Sequence, residues 1–139
     1  MSAWELGPEG ERELLVETAR ELVEGAPEGA ASVRLVCGGL GYAEEVRAYA
    51  EMEDGERLTV KVPPLAQLNL QKLRRGMYRE GRGTWFSLDL TVSDGRFDVS
   101  FDHELEPPYF ESPPARELIA AEERRFPREA EWTPGWFLP

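Results

Sequence analysis

Asp98 and Asp102 stand four residues apart in "DVSFD", and the only histidine of the chain, His103, follows between Asp102 and Glu104. A carboxylate pair can divide general-acid and general-base work, as in glycoside hydrolysis. A histidine among carboxylates can relay a proton or ligate a metal. Each of these chemistries makes a geometric demand. In an extended segment consecutive side chains point to opposite faces, so Asp102, His103 and Glu104 would not converge on one ion. No Gly-x-Ser-x-Gly elbow accompanies the histidine, which argues against a serine hydrolase. "CGGLG" at 37–41 lacks the lysine and Ser/Thr of a phosphate loop and is followed by Glu44 and Glu45, so it reads as a tight turn. No catalytic, cofactor-binding or metal-ligating residue is assigned. A small acid/base enzyme using Asp98 and Asp102 stays as the alternative.

The segment holding these carboxylates is "WFSLDLTVSDGRFDVSFDH", residues 85–103. Asp94-Gly95 is a favoured two-residue hairpin turn, since both positions need positive φ. It sets Val92 opposite Phe97, Leu90 opposite Val99 and Leu88 opposite Phe101, all on one face. The other face pairs Thr91 with Asp98, Asp89 with Ser100, Ser87 with Asp102 and Trp85 with Glu104. The apolar face buries against helices, at about 1.5–3 kcal/mol per large side chain. The outward face would then display Trp85, Asp89, Asp98, Asp102 and Glu104. His103 falls opposite Phe86 on the apolar side, as a partly buried structural histidine.

The rest of the chain must position this ribbon. Residues 10–24 place Leu15, Ala19, Leu22 and Val23 on one helical stripe, opened by Pro8 and closed by Gly25. Residues 32–37 read as a buried strand, and 43–53 and 57–62 as two more around Asp54-Gly55. A three-residue loop there aligns Met52 with Leu58 and Ala50 with Val60. Residues 65–80 predict a second helix with Leu65, Leu68, Leu70, Leu73 and Met77 inward, stopped by Gly81 and Gly83. Ser112 as N-cap and Pro113 as first residue predict a third helix ending near Phe126. The tail, with Trp132, Trp136 and Phe137, shows no clear period and is expected to fold back on the domain. The order implies one α+β domain over residues 1–139, an antiparallel sheet of about five strands with helices mainly on one face.

The chain has 139 residues, enough for a single core, and a formal net charge of -11. That charge disfavours direct contact with nucleic acid or an anionic membrane and favours a basic partner. The acidity is segmental: residues 84–112 carry seven acidic residues and one basic, whereas 63–83 carry one acidic and five basic. The basic cluster, Lys72, Arg74, Arg75, Arg79 and Arg82, lacks interleaved aromatics and reads as internal charge pairing or a solvated helix face. Cys37 stands alone, which excludes an intrachain disulfide and suits a small buried apolar residue. The N-terminus has no signal-peptide pattern and the apolar runs fall short of a membrane span, so a cytoplasmic protein is expected.

"LRRGMYREGRGTWFSLDLTVSDGRFDVSFDHE" resembles the YezG-like family of immunity proteins from bacterial polymorphic toxin systems, on Trp85, Asp94, Gly95, Phe97, Asp98, Phe101 and Asp102. The later "FPREAEWTPGWF" is similar to Arg/Trp-containing C-termini in that family. The likeness is best over residues 70–136, and His103 stands where relatives often carry a tyrosine. It implies a non-enzymatic antitoxin that binds a cognate toxin, often a nuclease, in the cell that makes it. It carries over no catalytic residue, no cofactor and no defined interface. An intracellular adaptor of the same fold is the other alternative.

Overall fold

A computed structural model describes residues 5–107, 110 and 113–138. The elements run α1 (Pro8–Glu24), β1 (Ala30–Leu40), β2 (Ala43–Met52), β3 (Arg57–Val60), α2 (Pro64–Gly76), β4 (Ser87–Ser93), β5 (Arg96–Asp102) and α3 (Arg116–Arg125). Two short 3-10 turns follow, at Ala130–Trp132 and Gly135–Phe137. The five strands form one antiparallel sheet in the order β3-β2-β1-β4-β5. This is the α+β architecture expected. Among the described residues, no helix is long and apolar enough to cross a membrane.

The main core lies between one sheet face and α1 with α2. Leu15 and Leu22 of α1 and Leu70 and Leu73 of α2 meet Val33, Leu35 and Cys37 of β1 and Leu88, Leu90 and Val92 of β4. A second, smaller cluster joins Leu40, Phe86, Ile119 and Phe137, bringing α3 and the tail to the far end of β1. β3 and β4 are not neighbours, and the long connection between them carries α2 back across the sheet, where it joins α1 on the same face.

The hairpin register matches expectation at every pair from Val92–Phe97 to Ser87–Asp102. Asp94 and Gly95 take positive φ, 51° and 72°. The β2–β3 register differs by two residues: Ala50 faces Leu58 and Ala48 faces Val60. The Asp54 carboxylate accepts the Glu56 N–H, and Met52 N–H bonds the Glu56 carbonyl, so the three loop residues are 53–55 rather than 54–56. A slip of two keeps every side chain on its expected face.

Other boundaries shift for local reasons. β1 runs through "CGG" to Leu40, so the turn lies at Gly41-Tyr42 rather than 38–41. Val23, Leu65 and Leu68 are exposed, because Thr18, Ala66, Asn69 and Arg74 take inward places on their helices. α2 stops at Gly76, and 79–83 instead form a bridged loop in which Arg79 N–H meets the Gly83 carbonyl. α3 begins at Arg116, with Ala115 as N-cap. Pro113 therefore lies ahead of the helix, and Ser112 lies outside the described residues.

Candidate functional site

β4 and β5 present the sheet face opposite α1 and α2. From β4 come Ser87, Asp89, Thr91 and Ser93; from β5 come Arg96, Asp98, Ser100 and Asp102. β1 adds Arg34 in register with Thr91, one step along from Asp89. The Arg34 guanidinium grips Asp89 in a fork, with Nε and Nη2 donating at 3.0 and 2.6 Å. Both side chains stay about two-fifths exposed, so the fork lies on the surface and contributes little stability. On the β2–β3 half, Arg57 pairs with Glu51 at 3.3 Å and stacks on Tyr49 at 4.2 Å. Much of the outward face is thus charge-paired, and its acidity gathers along β5.

Asp98 is exposed beside Thr91. Asp102 ends the strand: its Oδ1 accepts the N–H groups of Glu104 and Leu105, both at 2.9 Å. Those two hydrogen bonds hold its carboxyl below the usual aspartate range. Glu104 is exposed in the following bend, where its carbonyl accepts the Trp136 indole N–H at 2.6 Å. Asp98 and Asp102 are four strand residues apart, which spaces their Cα atoms about 13 Å. Glycosidase carboxyl pairs sit at about 5–9.5 Å, a separation this backbone spacing reaches only if both side chains lean together.

Trp85 is not on this face. It is fully buried in the main core, 5.8 Å from the Phe101 ring. Ladder alternation begins only at Ser87, and Phe86 N–H donates to the Asp102 carbonyl. Trp85 and Phe86 can therefore both turn inward, Trp85 to the first core and Phe86 to the second. His103 also departs from expectation. It lies past the end of β5, exposed, on the wall of a cleft of about 550 Å³ that Arg82, Glu104 and Trp132 also line. Partial desolvation draws its pKa below the ordinary histidine value, against the pull of Asp102. Among the described residues, no group of three or more His, Cys, Asp or Glu side chains could hold a metal ion.

Three members of the basic cluster, Arg74, Arg79 and Arg82, turn inward or into local contacts, while Lys72 stays exposed. Arg74 donates to Glu122 Oε1 at 2.8 Å and to the Trp85 carbonyl at 3.0 Å. Arg79 bonds Glu11 and the carbonyls of Leu6, Gly76 and Tyr78. Arg82 lies over the Trp132 ring at 5.1 Å. The buried network around Glu122 is absent from any motif. Its Oε1 also accepts Gly41 N–H at 2.7 Å, and its Oε2 accepts Arg128 at 2.9 Å. Only the glycines hinted at it. A Cβ on Gly39 would stand 2.5 Å from Arg74 Nε, and one on Gly83 would collide with the Arg128 guanidinium. Cys37 is fully buried, and burial pushes its thiol up out of the reactive range. The tail folds back as expected: Trp136 meets Phe86 edge-on at 4.9 Å, and Phe137 is buried.

No family model matches the chain, and no curated protein matches it.

Proposed function

We propose that the chain is an immunity protein that neutralises a cognate toxin by binding, laying the outward face of its β4–β5 hairpin over a basic functional cleft. One observation supports this reading most: the carboxylates of β5, Asp98 and Asp102, lie on the side that α1 and α2 leave uncovered, with Glu104 exposed in the bend that follows. The formal charge of -11 would speed encounter with a cationic target, and these carboxylates would orient it. Asp89 contributes as an Arg34 fork rather than as a free carboxylate. The aromatic anchor expected of such an interface falls to Trp132, 45% exposed on the wall of the His103 cleft, in place of the buried Trp85. A basic cleft also favours a nuclease as the toxin, since such enzymes bind phosphate.

Co-expression with the product of the adjacent reading frame tests the reading. The expected result is protection of the host cell, co-purification, and association that slows as salt rises. Asp98→Lys should slow association about tenfold with little effect on dissociation. A product that neither harms the host nor co-purifies, or an association rate indifferent to salt, would overturn it.

A further inference from the structure

β5 is one edge of the sheet and β3 the other. The β3 edge is only four residues, Arg57–Val60, whereas β5 runs for seven, Arg96–Asp102, with no proline. Open edges of that length are ordinarily shortened, covered or paired. With a two-residue turn, Ser93 and Arg96 exchange the first pair of ladder bonds, and bonding then alternates. Arg96, Asp98, Ser100 and Asp102 thus bond back to β4. Phe97, Val99 and Phe101 direct their N–H and C=O groups outward. Among the described residues, no backbone hydrogen bond outside the regular ladders ends on those three.

We propose that β5 pairs antiparallel with β5 of a second copy of this chain, about a two-fold axis at Val99, joining the two sheets edge to edge. The strand "RFDVSFD" is self-complementary about its centre. Arg96 meets the partner's Asp102, Phe97 meets the partner's Phe101, and Asp98 meets the partner's Ser100. Each pair occurs twice, and within the strand no two carboxylates face each other. Asp102 spends Oδ1 on its own turn, which leaves Oδ2 for the partner's Arg96. The outward backbone groups of Phe97, Val99 and Phe101 fall into hydrogen-bonded pairs, and these three half-buried side chains lose further exposure.

Other symmetric registers fit worse. An axis at Asp98 sets the Asp98 carboxylates of the two copies against each other, and one at Ser100 sets Asp98 against the partner's Asp102. An axis at Phe101 sets Asp98 against the partner's Glu104, and one at Phe97 runs off the hairpin at the Asp94-Gly95 turn. Association is independent of toxin binding, and it would join the outward faces of two copies into one surface. The formal charge of -11 on each copy opposes it at long range, so moderate salt strengthens the dimer.

Sedimentation velocity and light scattering on the full chain, from micromolar to millimolar, test the proposal. The expected mass moves from 15.7 kDa toward twice that value with concentration. Ser100→Glu, an exposed site, places a carboxylate opposite the partner's Asp98 at both ends and should weaken the dimer at least about tenfold; Ser100→Lys should tighten it. Val99→Pro removes an outward N–H and should leave a monomer. Because proline can also disturb the hairpin, the Ser100 pair decides the matter. A monomeric mass throughout, or a dimer that both Ser100 variants leave unchanged, overturns the proposal.

Discussion

Arg74 and Glu122 meet at 2.8 Å with their side chains 5% and 0% exposed, joining the second helix to the third across the end of the sheet. Arg128 approaches the other carboxylate oxygen at 2.9 Å and is itself 3% exposed. Two cations thus share one anion out of water. Desolvation draws Arg74 below the ordinary arginine pKa, and Glu122 opposes that shift. Further donors go to carbonyls, Arg74 Nε to Trp85 and Arg128 Nη2 to Thr84. Both guanidiniums also lie over aromatic faces, Arg74 over Phe126 at 5.0 Å and Arg128 over Phe86 at 4.5 Å.

Removing the shared anion should therefore cost far more than a surface pair. Glu122→Ala leaves two buried guanidiniums facing each other and is expected to destabilise the fold by about 3–5 kcal/mol. Glu51→Ala, at an exposed pair, should cost under about 1 kcal/mol. Urea unfolding of the two variants side by side measures the contrast, and equal midpoints would refute it.

A methyl group where an arginine crosses the backbone should be costly too. Gly39→Ala puts Cβ 2.5 Å from Arg74 Nε and 2.6 Å from its Cδ, forcing a side chain held at both ends to move. The expected loss is about 1–3 kcal/mol. Gly135→Ala, whose added Cβ meets nothing within 4 Å, serves as the matched control and should be near neutral. Thermal unfolding by circular dichroism separates the two.

Glu44 supplies the pH dependence. Burial raises its carboxyl above the ordinary 4.5, outweighing the attraction of Arg74 and Arg125. Ionisation is then harder in the folded state, so the charged form costs stability above the folded pKa. That cost fades as pH falls through the folded pKa to 4.5, and below 4.5 it is gone. Glu44→Gln should thus be more stable than the parent at pH 7, by under about 1 kcal/mol given partial solvent screening, and equal to it below pH 4.5. A parent that is the more stable of the two at neutral pH would contradict this account.

The Asp94-Gly95 ribbon was readable residue by residue, because a two-residue turn leaves one pairing and period-two alternation then assigns every face. The β2–β3 hairpin was readable by face but not by register, since a shift of two preserves the pattern. Trp85 misled because alternation was extended past the end of β4, where a backbone bond from Phe86 to Asp102 lets both aromatics turn inward. Leu65 and Leu68 misled for the opposite reason. Arg74 and Asn69 occupy inward places that a hydrophobic count gives to leucines. The Glu122 network joins residues 48 and 6 positions apart in sequence and carries no local signature. Only the glycines at 39 and 83 marked where the arginines cross the backbone.

One feature of that network bears on biosynthesis. All five strands are complete by Asp102, yet the carboxylate that neutralises Arg74 is residue 122 and its second cation residue 128. On a growing polypeptide the ribbon framework can assemble while Arg74 still keeps its water. Closure of the far end waits for the third helix and for the Arg128, Trp136 and Phe137 segment behind it to emerge.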